Sequence, residues 1–232
     1  MTPARQLPRD LGHRPAMGAE DFLVADSNSD AVAWLDRWPD WPAPALVLHG
    51  PPGSGKTHLT QVWRHRSNAV TADAATLADA DPPALISARG AVAIDDAEAV
   101  CGTEGERILF HLYNLAREQG GHLLLTARRP PSRWPILLPD LASRLRAAPA
   151  VAVAEPDDSL LGAVMVKLFA DRQVRVGVEV VAYLLPRIER NFAAARRVVA
   201  ALDAASLARR GPITVPLART VLDDLERQEQ EG

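Results

Sequence analysis

The chain has 232 residues, a length that accommodates one α/β domain and a smaller appended unit. Its net charge of −3 and pI near 6.1 exclude an overall basic surface, so we expect no direct sequence-specific DNA binding. The single cysteine excludes an intrachain disulfide, and no apolar run reaches the roughly 18 residues of a membrane helix. We therefore expect a cytoplasmic protein that has no membrane partner.

The first predicted segment is a flexible arm over residues 1–18, which is rich in proline, arginine and glycine and has no hydrophobic periodicity. Within it, Gln6, Leu7 and Leu11 offer an amide and two aliphatic side chains to a pocket on a partner protein. The alternative interpretation is a plain disordered tail that binds nothing.

A glycine-rich turn follows the apolar run over residues 45–48, which predicts a buried parallel strand. Residues 49–59, HGPPGSGKTHL, fit the pattern G-x-x-x-x-G-K-[ST]. Backbone N–H groups of such a turn bind phosphate, Lys56 would reach the β- and γ-phosphates, and the Thr57 hydroxyl would ligate Mg²⁺. We therefore predict bound ADP or ATP with Mg²⁺. The residues expected to contact the nucleotide here are Gly50, Pro51, Pro52, Gly53, Ser54, Gly55, Lys56, Thr57 and His58.

A second strand is predicted over residues 68–71, before a short alanine-rich helix over residues 72–81. We expect Pro82 and Pro83 to end that helix, because proline lacks the N–H donor that a helix interior requires. The chain then returns to an apolar run over residues 90–94, which predicts a third strand.

Two carboxylates follow that third strand. Asp95 would emerge at its end beside the Mg²⁺ that Thr57 binds, which is the Walker B arrangement. Asp96 would orient or deprotonate the water that attacks the γ-phosphate. Because the two acids follow a phosphate-binding loop at a suitable spacing, we interpret them as functional rather than as ordinary acids at the end of a strand.

A helix over residues 104–118 leads to a fourth predicted strand over residues 122–126. The side chain of Thr126 leaves this strand, and it would lie close to the γ-phosphate, between the phosphate-binding loop and the Walker B strand. The alternative is that Thr126 only caps the strand.

The segment LPDLASRL, residues 138–145, precedes a fifth apolar strand over residues 150–153. The arginines of this region would either pair locally with Asp140 or project toward the phosphates of a neighbouring subunit. In the second case a guanidinium group would stabilise the charge of a phosphoryl group during its transfer.

From Pro156 onward the hydrophobic periodicity is purely helical, and a last helix begins near Thr214. This pattern predicts a small helical bundle that serves as a lid. We therefore divide the chain into an N-terminal arm over residues 1–18, a nucleotide-binding α/β domain over residues 19–156 and a helical lid domain over residues 157–232.

Five segments, in this order, resemble the AAA+ ATPases of the DnaA replication-initiator group. They are DFLVADSN, GPPGSGKTHL, AIDDAE, LLLTARRPP and LPDLASRL, and the resemblance runs from about residue 21 to about residue 226. With QLPRDL in the arm, the chain is most similar to the regulatory, Hda-type members of that group. The resemblance implies an α/β AAA+ P-loop fold, with a parallel five-stranded sheet, helices on both of its faces and a small C-terminal helical lid domain.

The resemblance also implies a function. Hda-type proteins bind nucleotide, dock on the DNA polymerase sliding clamp and stimulate ATP hydrolysis by the DnaA initiator, which negatively regulates DNA replication initiation. The resemblance also assigns roles to individual residues. Gln6, Leu7 and Leu11 would contact the clamp, and Arg144 would be an arginine finger, inserted in trans at the composite nucleotide site with DnaA. Phe22 and Asn28 would border the adenine. A homodimer that hides or exposes Arg144 is a further expectation.

Two positions depart from the pattern of the group. Arg128 stands where LTSDRPP-like segments place an Asp at the first sensor, and Ala193 stands where the second sensor is an arginine. Arg196 would replace that arginine only if the register of the helix shifted. We therefore expect weak or no ATP hydrolysis by the chain itself.

Two other functions stay open at the level of the sequence. One is a self-sufficient ATPase, such as a helicase loader of the DnaC kind or a motor acting on nucleic acid, which strong basal hydrolysis or direct DNA binding would favour. The other is a small-molecule P-loop kinase, which would need an acceptor pocket and a mobile arginine-rich lid. The missing sensor residues and the acidic pI disfavour the first, and the helical C-terminal third disfavours the second.

Overall fold

The computed structural model describes residues 23–87 and 90–231. By its contacts the described chain divides between Ala154 and Glu155 into an α/β unit and a helical unit. Among the helices of these residues, none combines the length and the apolar character that crossing a membrane requires.

The α/β unit contains all five strands of the described residues. Its elements are α1 (Ser29–Asp36), β1 (Ala45–His49), α2 (Lys56–Ser67), β2 (Val70–Asp73), α3 (Pro82–Ser87), β3 (Ala91–Asp95), α4 (Glu104–Gln119), β4 (His122–Ala127), α5 (Pro139–Ala147) and β5 (Ala150–Ala152). Short 3-10 helices cover Ala74–Asp79, Ala97–Val100 and Pro131–Arg133. The strands pair in parallel in the order β2-β3-β4-β1-β5, which confirms the predicted five-stranded parallel sheet.

Side chains of the central strands alternate between two separate cores, because successive residues of a strand point to opposite faces of the sheet. In β1, Ala45 and Val47 pack into one core, whereas Leu46 and Leu48 pack into the other. Helices α3, α4 and α5 contribute to the first core, and α1 and α2 contribute to the second. Helices therefore cover both faces, and each leucine buried in this way stabilises the fold by roughly 1.5–3 kcal/mol.

The connection between β2 and β3 differs from the prediction. Residues 74–79 form a 3-10 helix, and Pro82 begins α3 instead of ending a helix over residues 72–81, so that prediction was wrong. The first turn of a helix has no intrahelical partners for its N–H groups, and a proline there loses no hydrogen bond. Asp73 ends the preceding strand and caps the 3-10 helix, since its Oδ1 accepts from the amide of Ala75 at 2.9 Å.

The helical unit contains α6 (Asp158–Asp171), α7 (Val178–Leu184), α8 (Phe192–Arg209) and α9 (Val215–Glu231), with a 3-10 helix over Leu185–Arg187. Apolar side chains from all four helices form one core, in which Met165 and Phe169 of α6 are fully buried. Side chains cap two of the helices: Asp157 accepts from the amide of Leu160, and Asn191 accepts from the amide of Ala194, each at 2.7 Å. The C-terminal region is therefore helical, as predicted.

Candidate functional site

The loop between β1 and α2 brings the backbone unusually close to its neighbours. A Cβ atom at position 50 would lie 2.1 Å from the carbonyl oxygen of Val153, so only glycine fits there. Gly53 and Gly55 have φ angles of 73° and 101°, in the left-handed region that glycine adopts without strain. These three glycines let the chain turn directly into α2, whose first N–H groups then form a site for an anion.

Lys56, the first residue of α2, lies over this loop. Its Nζ donates hydrogen bonds to the carbonyl oxygens of Gly50 and Pro51, both at 2.8 Å. Burial lowers the pKa of Lys56, the Asp95 carboxylate opposes that shift, and the like charge of Arg128 adds to it. A phosphate group at the loop would supply the negative charge that the half-buried ammonium group lacks.

Ser54 provides an independent sign of a ligand at the same loop. The residue is 3% exposed, and its Oγ has no hydrogen-bond partner within the described part of the chain. Buried polar atoms without a partner are rare in native proteins and call for an explanation such as a bound group. The loop therefore fits a nucleotide phosphate by its backbone, by its lysine and by this unpaired hydroxyl.

Four of the predicted site residues lie together where α2 begins and where β3 and β4 end. Thr57 Oγ1 donates to Asp95 Oδ2 at 3.3 Å. Thr126, 1% exposed, donates to the other oxygen of Asp95, and its own Oγ1 accepts from the amide of Asp96 at 3.0 Å. Asp96 adopts a left-handed conformation, with φ of 51°, which turns the chain away from the sheet at this point.

The oxygen atoms of this cluster suit Mg²⁺. A threonine hydroxyl and a carboxylate are ligands that Mg²⁺ accepts, and it normally takes its remaining ligands from phosphate and water. Residues 23–87 and 90–231 contain no group of three His, Cys, Asp or Glu side chains that could hold a metal ion alone. Thr57 and Asp95 would hold Mg²⁺ together with a nucleotide, as in a P-loop site.

The sheet order places two further side chains at the loop. Strand β4 lies beside β1, and the amide of Gly50 donates to the carbonyl of Ala127 at 3.2 Å. The exposed Arg128 follows Ala127 directly and is close enough to affect Lys56. His49, which was not among the predicted site residues, ends β1, and burial together with the charge of Lys56 lowers the pKa of its imidazole. Its place directly before the glycine-rich turn was the signal available in the sequence.

The segment predicted to border the adenine lies near the same loop. Asn28 is buried, and its amide accepts from the backbone N–H of Ala25 and donates to the carbonyl of Leu23, so it folds its own segment into a turn. The amide of Ala154 donates to the carbonyl of Ser27 at 2.9 Å, beside the strand end that borders the loop. A contact of Asn28 with adenine stays a prediction.

The remaining predicted site residues lie in the loop, on α2 and on α8, or outside the described residues. Pro51 and Pro52 lie in the loop itself, and His58 is an exposed residue in the first turn of α2. The predicted sensor positions on α8, Ala193 and Arg196, are both exposed. Four predicted contact residues lie outside the described residues: Gln6, Leu7, Leu11 and Phe22.

Arg144 lies in the last turn of α5, and its contacts are with side chains of α4. Its guanidinium group stacks over the ring of Phe110 at 5.0 Å and lies 5.8 Å from the ring centre of Tyr113. Its Nη1 donates to Oδ1 of Asn114. These contacts with α4 were not predicted, and they take the place of the local pairing with Asp140.

Three comparisons with known proteins agree with this geometry. Residues 163–222 match the family model described as Hda, lid domain. The chain is 26% identical to the chromosomal replication initiator protein DnaA of Symbiobacterium thermophilum over 96% of its own length and 54% of that protein. It spans about half the length of the curated relatives it matches.

Two solved structures have the same fold. Domain III of the Thermotoga maritima replication initiation protein DnaA superposes with a TM-score of 0.76 at 18% identity, over 88% of this chain and 94% of that one. The AMPPCP-bound DnaA from Aquifex aeolicus superposes with a TM-score of 0.71 at 17% identity, over 94% of this chain and 71% of that one.

The strand order and the phosphate-binding loop, together with these likenesses, define an AAA+ protein with a nucleotide-binding fold. Its helical unit carries the match to the Hda lid, and its sequence matches DnaA over nearly the whole chain. The chain is therefore an AAA+ protein related to Hda and DnaA.

Proposed function

We propose that this chain is a regulatory AAA+ protein that stimulates ATP hydrolysis by the DnaA initiator through Arg144, inserted in trans. It would bind ADP or ATP with Mg²⁺ and dock on the DNA polymerase sliding clamp through Gln6, Leu7 and Leu11. By lowering the amount of ATP-bound DnaA, it would negatively regulate DNA replication initiation. The relation to DnaA and the match to the Hda lid support this proposal.

The position of Arg144 is the observation that carries the proposal. Its partners are Phe110, Tyr113 and Asn114 on α4, and none of them belongs to the phosphate-binding loop or to the cluster around Asp95. A guanidinium group that does not contact the nucleotide of its own chain can contact the nucleotide bound to another chain. Its fork of N–H donors suits the charge that develops on a transferring phosphoryl group.

The nucleotide of the chain itself would then be mainly structural. Lys56 and the Ser54 hydroxyl would bind its phosphates, and Thr57 with Asp95 would hold Mg²⁺, which neutralises phosphate charge. Asp96 would orient water, since its amide is held by Thr126 at 3.0 Å. Arg128 in place of the first-sensor Asp supports slow hydrolysis at this site. A second copy of the chain would cover Arg144 in a homodimer, in the same way that DnaA would.

The test is phosphate release from ATP-loaded DnaA in the presence of clamp loaded on DNA. We expect the intact chain to accelerate release, and Arg144→Ala to remove most of an effect that amounts to roughly 10³- to 10⁵-fold for in-trans fingers. Arg146→Ala is the matched control, because Arg146 is an exposed arginine of the same helix. Removal of residues 1–11 should abolish stimulation at low concentration and spare nucleotide binding.

If the intact chain does not accelerate phosphate release from DnaA, a second candidate function is favoured: a helicase-loader-type or nucleic-acid-acting ATPase. The complete set of Thr57, Asp95, Asp96 and Thr126 supports hydrolysis by the chain alone. If the chain has no effect on DnaA and hydrolyses ATP rapidly without it, the regulatory proposal is wrong. An Arg146→Ala variant that loses as much stimulation as Arg144→Ala would also contradict the assigned finger.

A further inference from the structure

Glu106, in the first turn of α4, is an acidic side chain that the proposed mechanism does not use. The residue is 2% exposed, and its carboxylate accepts three backbone hydrogen bonds. Oε1 accepts from the amides of Leu137 and Leu138 at 2.9 and 2.6 Å, and Oε2 accepts from the amide of Gly102 at 2.7 Å. Hydrogen bonds from N–H groups to an ionised acceptor are roughly twice as strong as neutral ones.

These bonds join two segments that lead to functional residues. Gly102 lies six positions after Asp96, beyond the short 3-10 helix that leaves the Walker B strand. Leu137 and Leu138 directly precede α5, the helix that carries Arg144. Leu137 is 72% exposed, whereas Ile136 and Leu138 on either side of it pack against the core of the α/β unit. The carboxylate of Glu106 holds the backbone of this segment in addition to that packing.

The same helix holds α5 at a second place. Glu106, Phe110 and Tyr113 are spaced i, i+4 and i+7, so they lie along one face of α4. The first holds the backbone where α5 begins, and the other two lie against the guanidinium group of Arg144. One face of α4 therefore determines both where α5 starts and where its arginine lies.

The far end of the connection between β4 and α5 is held by a second carboxylate. Glu98 accepts from the backbone amide of Arg129 at 3.3 Å and from its Nε at 3.5 Å. Glu98 belongs to the 3-10 helix after Asp96 and holds the start of the connection. Glu106 holds the end of the connection and also binds Gly102, which follows the same 3-10 helix. Both ends are therefore linked to the segment that follows the Walker B strand.

We propose that Glu106 is a positioning residue for Arg144, which acts by holding the start of α5 against α4. This inference rests on the proposed function, because it assigns to Glu106 a part in presenting the arginine finger. Whether or not the chain acts on DnaA, the positions of the Leu137 and Leu138 amides and of the Arg144 side chain all depend on this carboxylate.

Two substitutions at this position separate the contributions of its oxygen atoms. Glu106→Ala removes both acceptors, whereas Glu106→Gln keeps one carbonyl oxygen for the amides of Leu137 and Leu138 and turns an NH₂ group toward Gly102. The matched control is Glu104→Gln, which removes the same charge from the same turn at a side chain that is 75% exposed.

The functional measurement is phosphate release from ATP-loaded DnaA over a range of concentrations of this chain. A finger displaced by about 1 Å loses about 10²-fold in rate, so Glu106→Ala should lower the maximal rate by roughly that factor. Glu106→Gln should lose less, and Glu104→Gln should match the wild type. In the Arg144→Ala background, Glu106→Gln should cause no further loss, because it acts through Arg144.

The structural measurement does not depend on DnaA. Amide exchange at Leu137 and Leu138 should become roughly tenfold faster in Glu106→Ala, as expected for a lost hydrogen bond. The NMR signal of the Arg144 Nε–H group, shifted by the ring of Phe110, should move toward its free position in both Glu106 variants and stay in place in Glu104→Gln.

The two readouts keep the two proposals apart. A wild-type chain that does not stimulate DnaA refutes the proposed function, and the exchange and NMR data then decide the anchoring of α5 by themselves. Unchanged exchange at Leu137 and Leu138 in folded Glu106→Ala would overturn the inference, and so would an unchanged Arg144 signal in folded Glu106→Gln. So would an undiminished maximal rate in a folded Glu106→Ala chain whose wild type stimulates DnaA.

Discussion

Thr126 and Asp95 share a hydrogen bond across the ends of two adjacent strands. The register of β3 and β4 aligns Ile94 with Leu125, so the next residue of each strand falls at the same level. The buried Thr126 hydroxyl donates to the Asp95 carboxylate and accepts from the amide of Asp96. One hydroxyl group thus orients the predicted metal ligand and the predicted water-orienting residue together.

Replacing Thr126 by Val keeps the shape of the side chain but removes its hydroxyl group. Asp95 and the backbone of Asp96 should then lose their hydrogen bonds to this residue. The amide of Asp96 would lose its acceptor at a partly buried position, and the free energy of unfolding should fall by about 0.5–1.5 kcal/mol. Binding of ATP with Mg²⁺ should weaken as well. Urea unfolding and nucleotide titration measure the two effects.

Thr126→Ser is the control for that substitution, because it keeps the hydroxyl group. It should retain most of the nucleotide affinity that Thr126→Val loses. Equal losses in the two variants would mean that the methyl group, and not the hydrogen bonds, matters at this position.

Gly50→Ala should be destabilising because its Cβ would lie 2.1 Å from the Val153 carbonyl oxygen. The loop must shift to relieve that contact, at a cost of about 1–3 kcal/mol in the free energy of unfolding, and nucleotide affinity should fall with it. Gly211→Ala is the comparison, since its Cβ would meet only Arg209 O at 3.8 Å. Thermal unfolding with and without ADP tests both, and equal behaviour of the two variants would contradict the close approach at Gly50.

Arg128→Ala should raise the pKa of Lys56, because the like charge of Arg128 contributes to lowering it. It also removes a positive charge near the phosphate-binding loop, so ATP affinity should fall by a few-fold, as expected for about 1 kcal/mol at an exposed position. The loss should shrink at high salt. Arg133→Ala, an exposed arginine of the same connection, should leave affinity unchanged. A tighter complex with Arg128→Ala would contradict the expected role of the charge.

His122 makes the stability of the α/β unit depend on pH. Its Nε2 lies 2.8 Å from the carbonyl oxygen of Pro39, and its ring contacts Trp38 and Trp41 edge to face. Burial lowers the pKa of His122 from its usual 6.5, and the bond to Pro39 and the charge of Asp40 oppose that shift. The unfolded chain therefore binds a proton at a higher pH than the folded chain does.

The free energy of unfolding should accordingly fall as the pH drops below 6.5, through the range between the two pKa values of His122. His122→Gln should flatten this part of the profile, while the exposed His111→Gln should not. Urea unfolding followed by tryptophan fluorescence from pH 5 to 8, roughly the range in which histidine titrates, is the measurement. A profile that His122→Gln leaves unchanged would refute the assignment.

The sequence predicted the parts of this protein that depend on local spacing. The phosphate-binding turn, the strands and the acids after β3 are encoded within short windows, and the parallel five-stranded sheet followed from the resemblance. The role of Pro82 was not predictable from the sequence because proline both ends helices and begins them, and only the surrounding fold selects between the two. The contacts of Glu106 and Arg144 were not predictable in this way, since their partners lie about 30 positions away across an irregular connection.

The side chains of β4 alternate between the two cores, and this alternation restricts the length of the strand. An added or deleted residue before Thr126 would exchange the two faces of the remaining strand, because side chains alternate with a period of two. The same change would move the threonine hydroxyl from Asp95 to the opposite side of the sheet. Insertions or deletions of a single residue should therefore not be tolerated within residues 122–126, because they would disrupt the packing of both cores and the contact of Thr126 with Asp95 at once.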